Sequence, residues 1–356
     1  MAYAARAVDP AAAAAPLAAF DSSIRDACAD IFGFQPTEDE WLQATLGFRR
    51  AGLGFRSSLR HSAAAHFASR AAARGLCAQV DAYCRWDVDD AGSGLQRAAA
   101  TLQAALPEQA ARQLAGTSPA SLRDRLARAS LAVRAAVLSG TLPGASGFLT
   151  AMPSKAMKLS MGPTEFRTEV QCRLAAEVSQ EDYCPLCDSV LDAHGFHCSV
   201  CACGGGKSAA HHAAGNLTHF HAASAGCRPD LDRGHLLPPR PGDAADPGLR
   251  RTADVFLPSW RGGPPAAVDL AIASPQRQAA FQQASEVAGS AAQLYEDYKR
   301  SYLDTEAQCP QQGIAFVPMV AERSGGWGAS GIQVLQPLAR KAQARDGKAA
   351  SLHMQE

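Results

Sequence analysis

RRTADVFLPSWRGGPPAAVDLAIASP, residues 250–275, contains the two runs whose reading decides the fold. TADVFL and AAVDLAIA are short, rich in branched residues and alternating, which predicts two β-strands. Each run carries one carboxylate, Asp254 and Asp269, with fourteen residues between them. In the second run Val268, Leu270 and Ile272 are expected on one strand face, with Asp269 opposite. If the runs pair as a hairpin, both carboxylates converge on one Mg²⁺ or Mn²⁺ ion, a hard cation that takes carboxylate oxygen together with water and phosphate. Such an ion would activate a water and stabilise charge on an attacked phosphodiester. Taken singly, each aspartate fits equally well as a residue bordering a strand.

Working outward, residues 280–303 read as a helix, GIAFVPMVAE as a third strand and IQVLQPLARKAQAR as a closing helix carrying Pro337. Strand, strand, helix, strand implies a mixed sheet flanked by helices, in an α+β or mixed α/β class. Residues 208–224 read as a helix, and the Pro-, Gly- and Asp-rich residues 228–250 as a long loop. Farther upstream the pattern is helical over residues 95–140 and about 164–178. The expected organisation is an irregular leader over 1–40 with one short helix near DSSIRDACADIF, and a helical region over 41–180. A metal-binding knuckle follows over 181–206, then the sheet domain over 207–345 and a tail over 346–356.

Six of the eleven cysteines and seven of the ten histidines fall between Cys184 and His235. Cys184 and Cys187 give two thiolates from one C-x-x-C turn; His197 and Cys201 follow. Four soft ligands at this spacing can close a tetrahedron around Zn²⁺ and leave no open position, which makes the site structural. On spacing alone, Cys198 or Cys203 could replace Cys201, and His194 could replace His197. A pair of buried thiols among surface histidines is the competing reading. Gly204-Gly205-Gly206-Lys207-Ser208 has the end of a phosphate-binding loop but Cys201 where its first glycine belongs, so no nucleotide site is read there.

Net charge is zero, so only local charge can point to nucleic acid. Residues 41–80 contain Arg49, Arg50, Arg56, Arg60, Arg70 and Arg74 and, after Trp41, no acid before Asp81. Arginines at that density can neutralise phosphates, and so can Arg250, Arg251 and Arg261 beside the acidic runs. A solvated helix face explains the first group equally well. No run approaches the roughly 20 apolar residues of a membrane span, so no membrane partner is expected. Clustered C-x-x-C cysteines without a secretion-signal pattern imply a reducing compartment.

ADVFLP and VDLAIASP together resemble the catalytic hairpin of the PD-(D/E)XK nuclease superfamily. More closely, residues 40–330 resemble the restriction-enzyme-like endonuclease region of non-LTR retrotransposon reverse transcriptase polyproteins, where a Cys-Cys-His-Cys knuckle precedes the nuclease. LGFRRAGLGFRSSLRHSAAAHFAS, GFHCSVCACGGGKSAAHH, LLPPRP, YEDYKR and FVPMVAERSGGW carry the rest of the resemblance. It implies an endonuclease that nicks target DNA, with structural zinc on Cys184, Cys187, His197 and Cys201. It also implies Asp254 and Asp269 as Mg²⁺ or Mn²⁺ ligands, element RNA as a second partner and the nucleus as the compartment.

The sequence departs from the pattern at Phe196, where an Asp usually precedes the knuckle histidine, and at Thr252-Ala253, where a Pro usually precedes the first aspartate. Ala271 stands where a lysine follows the second aspartate. The cation must then come from elsewhere, and Lys299 on the helix over 280–303 is the candidate, with Tyr295 one turn before it and His211 in a supporting place. No polymerase motif stands upstream. A catalytically decayed zinc-knuckle protein that only binds nucleic acid is the alternative.

Overall fold

The computed structural model describes residues 2–81, 93–101, 103, 120–151, 153, 160–203, 206–238, 253–348 and 350. The chain divides into two compact units: Met1–Gly47 with Gly52–Arg128, and Phe48–Ala51 with Ala129–Glu356. This boundary falls well before residue 180, where the sequence reading places it, because the helices after residue 129 belong to the same unit as the sheet.

The first unit is helical. Residues 1–40 are more helical than the irregular leader expected: the short helix expected near DSSIRDACADIF is the second half of helix α1, Ala14–Phe32. Alanine is the strongest helix former, and Pro16 falls in the first turn, where its missing N–H breaks no intrahelical bond. Gly33 ends the helix at φ 77°, donating its N–H to Ala29. Helix α2, Glu38–Ala44, starts with Thr37 and Glu40 capping each other's backbone, a reciprocal arrangement that satisfies two otherwise orphaned donors. Helix α3, Ser58–Val80, is tied to α1 through Asp21, whose carboxylate accepts from Ser57 Oγ and from the N–H of Ser58. Helix α4, Ala120–Arg128, contributes Arg125 to the Gln43 side chain and Arg128 to Asp39.

The second unit is α+β. Helices α5, Leu131–Ser139, and α6, Pro163–Leu174, precede the sheets. Arg173 at the end of α6 is buried and donates to the carbonyls of Ala145 and Phe48 and to Ser146 Oγ. Burial draws its pKa down to about 10. Strands β1, Asp182–Tyr183, and β2, Val190–Leu191, form a small antiparallel hairpin, followed by the short helix α7, Phe196–Val200. Helix α8, Gly206–Ser224, leads to the main sheet of β3, Asp230–Arg233, β4, Ala253–Leu257, β5, Ala266–Ala273, and β6, Ala315–Glu322.

The order is β3-β4-β5-β6, with antiparallel pairs up to β5 and a parallel pair β5–β6. Strand β3 lies where a loop was expected. Its residues are Asp-Leu-Asp-Arg and all exposed, so this edge strand carries no hydrophobic alternation to read. Between β5 and β6 the single expected helix is broken: Phe281–Ala284 is separated from α9, Ser290–Ser301, by Gly289 at φ 83°. Helix α10, Ala329–Asp346, follows β6.

Both faces of the sheet are covered. Val255, Leu257, Val268, Leu270 and Met319 pack with Ala222 of α8 and with Val334 and Leu338 of α10. On the other face Ala271, Ala273 and Val320 pack against Ala292 of α9. Ile272, expected on the apolar face with Val268 and Leu270, is instead 42 % exposed. The core on that face ends at Leu270, and the side chain of residue 272 emerges at a cleft. No helix among the described residues is long and apolar enough to cross a membrane.

Candidate functional site

The β1–β2 hairpin turns at Cys184-Pro-Leu-Cys187, where Asp188 adopts φ 56° and its N–H returns to the carbonyl of Cys184. The turn brings the two thiols together. Gly195, at φ 66°, starts α7, and Asp192 caps it by accepting from the N–H groups of Phe196 and His197. Asp192 therefore fixes the backbone of His197 from five positions upstream, through its N–H and not its imidazole. His197 and Cys201 then face the hairpin turn across one helical turn.

The donor atoms of Cys184, Cys187, His197 and Cys201 all lie within 4.8 Å of one another. Cys187 Sγ is 3.7 Å from Cys201 Sγ and 3.2 Å from His197 Nε2. A tetrahedron with Zn–S bonds of about 2.3 Å has S–S edges of about 3.8 Å, so the donors fit a metal ion such as zinc. The spacing alternatives fall away among the described residues. Cys198 and Cys203 are exposed and outside the cluster, and His194 stacks on Phe196 at 5.1 Å. The Ser189 side chain and backbone, as hydrogen-bond partners, draw the Cys187 thiol down to about 6.

The second constellation is built on β4 and β5. Backbone pairing between them runs from Leu257↔Ala266 to Val255↔Val268. Just beyond, Asp254 takes over from the backbone: its Oδ2 accepts the Leu270 N–H at 2.6 Å. His211 of α8 brings Nε2 to 3.2 Å from the same oxygen. Lys299 of α9 reaches across, its Nζ 2.6 Å from Asp269 Oδ1 and 5.9 Å from the ring centre of Tyr295. Hydrogen bonding and the charge of Asp254 raise the pKa of His211. Burial pushes Asp269 up to about 6; Lys299 works against this, and Asp254 adds to it. Burial also works against ionisation of Asp254, but His211, the Leu270 N–H and Lys299 outweigh it and hold that carboxyl below its usual value.

The two constellations share surroundings. A cleft of about 870 Å³ is lined by His197 and Cys201 as well as by His211, Tyr295 and Lys299. Lys207 and Arg323 also line it.

The arginines proposed from sequence are dispersed. Arg250 and Arg251 lie outside the described residues. Arg49 and Arg50 are exposed on a 3₁₀ turn of the second unit, and Arg56 is exposed in the first. Arg261 is already engaged: its Nη2 donates to the carbonyl of Gln333 at 2.6 Å, and its guanidinium lies over Trp260. Gln333 is the i−4 partner of Pro337, which has no N–H to give, so Arg261 satisfies the carbonyl that the proline leaves unpaired.

Sequence reasoning missed Asp192 and the hydrogen bond from Leu270 to Asp254. An aspartate four residues before a short helix is a capping signal that could have found the first. No protein-family model matches the chain, and no curated protein matches it.

Proposed function

We propose that the second unit is a metal-dependent DNA endonuclease of retrotransposon origin. The observation that carries this reading is the convergence of Asp254, Asp269 and Lys299 at the end of the β4–β5 pair, with Lys299 supplied by a helix where Ala271 cannot serve. One Mg²⁺ or Mn²⁺ would be held by the carboxylates and would supply Lewis acidity. Lys299 would stabilise charge on the attacked phosphate, in a site partly shielded from water. His211 holds Asp254 in place and is a positioning residue. Zinc on Cys184, Cys187, His197 and Cys201 would be structural, since all four positions are filled by protein. DNA as substrate, with element RNA as a second partner, would place the protein in the nucleus.

The test is a plasmid-nicking assay with Mg²⁺ or Mn²⁺, with Asp269→Ala run in parallel. Metal-dependent nicking that the substitution abolishes is the expected result. DNA binding without nicking, in a protein carrying one zinc, would instead establish the decayed binding module. The loss of the second-aspartate lysine at Ala271 favours that second reading.

A further inference from the structure

Beyond the acidic cluster, α9 carries a ladder of tyrosines that the nuclease reading does not use. Tyr295 and Tyr298 lie one turn apart on α9, and Tyr302 is the residue that ends the helix. Their ring centres are 5.6 Å apart for the first pair and 5.3 Å for the second, so the three rings touch in sequence. Tyr295 is half-buried against Lys299 in the cleft, whereas Tyr298 is 51 % and Tyr302 50 % exposed. The ladder thus starts at the acidic cluster and leads outward.

Cations gather at the cleft end of the ladder, where Lys207 and Arg323 line the same cleft as Tyr295. Arg277 lies over the Tyr295 ring at 5.4 Å, and Lys299 sits 5.9 Å from the same ring. The acids nearby are only partly offset, since Arg300 alone faces Asp297, Glu296 and Glu306. After Tyr302 the chain passes through Leu303 and Asp304 at φ 60° and 52°. Two consecutive left-handed residues without a glycine are a conformation L side chains avoid.

We infer that the ladder is a stacking platform for the unpaired bases of a DNA strand whose backbone enters the acidic cluster. The inference rests on the nuclease reading for the position of the phosphate and deepens it. The preferred substrate is DNA with a locally single-stranded segment rather than intact duplex. Every base offers a π-face, so the platform selects unpaired bases without selecting sequence.

The experiment uses the full chain with zinc, in EDTA-free buffer containing Ca²⁺ so that no cleavage is needed. Anisotropy measures binding to a labelled single-stranded DNA, to the matching duplex and to RNA of the same sequence. The Tyr298→Ala/Tyr302→Ala variant should weaken single-strand binding by at least about tenfold, from a stacking loss at each of two rings, and leave duplex binding within about twofold. Tyr298→Phe/Tyr302→Phe keeps the rings and should bind as wild type does. Equal binding of the single strand by wild type and the alanine variant overturns the inference. So does parallel loss for strand and duplex, and so does RNA bound more than tenfold tighter than DNA. Ring-dependent strand binding in a protein that never nicks would end the nuclease reading alone. Nicking with ring-independent binding would end the ladder alone.

Discussion

The ligands of the cysteine–histidine cluster come from eighteen consecutive residues, Cys184 to Cys201, whereas the acidic cluster draws on His211, Asp254, Asp269 and Lys299 from two strands and two helices. The two regions line one cleft but stand on different supports. The hairpin beneath the first has two-residue strands that are mostly exposed. A hairpin of that size is not stable alone in water, and few bonds tie the segment to the rest of the unit, among them Arg323 to the Gly195 carbonyl and Ser199 to Ser274, so a metal held by the cluster would add much of its order. The acidic cluster stands on strands whose Val255, Leu257, Val268 and Leu270 are almost fully buried. It should keep its shape whether or not a cation is bound. A site can thus be preorganised by packing, or it can be assembled by its own ion.

The largest effect expected follows from that contrast. Zinc removal by a strong chelator under reducing conditions should collapse amide-exchange protection over residues 182–201 and leave β4 to β6 protected. Ligand sites of this kind do not exist in the unfolded chain, so metal binding and local folding are one event. Cys187→Ser should do the same and lower bound zinc from one per chain to below about half. If protection falls equally in both regions, the two supports are not independent.

Next in size is the chemistry at the sheet. Asp269→Ala and Lys299→Ala should each lower nicking by at least about 100-fold, the scale of losing one group that stabilises transition-state charge. Far-ultraviolet circular dichroism and zinc content should not change. A Lys299→Ala protein that nicks at the wild-type rate would remove the lysine from the site, whatever its 2.6 Å contact with Asp269.

This asymmetry of support also decides what could be read from the chain. Cys184-x-x-Cys187 with His197 and Cys201 is visible because ligand spacing in a local motif survives without tertiary information. Asp254 and Asp269 are visible as polar residues inside apolar strands. That Lys299 meets Asp269 depends on how α9 crosses β5, and spacing alone cannot give that crossing; the four-residue step to Tyr295 only places them on one face. Of the helix Ala14–Phe32 only the second half, DSSIRDACADIF, was legible; Pro16 hid the start, although proline is harmless in a first turn. Strand β3 was hidden because an exposed edge needs no apolar alternation. Ile272 shows the opposite failure: alternation continues past the point where the core stops.

A smaller effect tests whether the acidic cluster is tense when metal-free. Burial raises Asp269 to about 6 in the folded protein, with Lys299 opposing and Asp254 and His211 nearby. The unfolded value is near 3.9. The native state therefore binds this proton more tightly, and the contribution of Asp269 to stability is fully present below about pH 4 and is lost as pH rises through about 6. Asp269→Asn cannot ionise. In urea denaturation with EDTA, the variant should gain on wild type between pH 4 and pH 7, and added Mg²⁺ should restore the wild type only. A gap independent of pH would mean that Lys299 fully compensates the buried charge.

The smallest effect concerns Arg261, where a nucleic-acid contact and a structural role make opposite demands. Its guanidinium fills the carbonyl of Gln333, which Pro337 leaves without an intrahelical donor. It does so from a left-handed backbone at φ 51°, with its guanidinium over the Trp260 ring. Arg261→Ala should destabilise the protein by about 1 kcal/mol, the net worth of one partly exposed hydrogen bond. DNA affinity and its salt slope should stay as they were, because the group is already spent on Gln333. The decisive measurement is a double-mutant cycle with Pro337→Ala. Alanine at 337 gives Gln333 an ordinary helical donor, so Arg261→Ala should cost less in that background, with a coupling of at least about 0.5 kcal/mol. Additive effects, or a salt slope that drops by about 1 on losing Arg261, would transfer this residue from the helix to the phosphate surface.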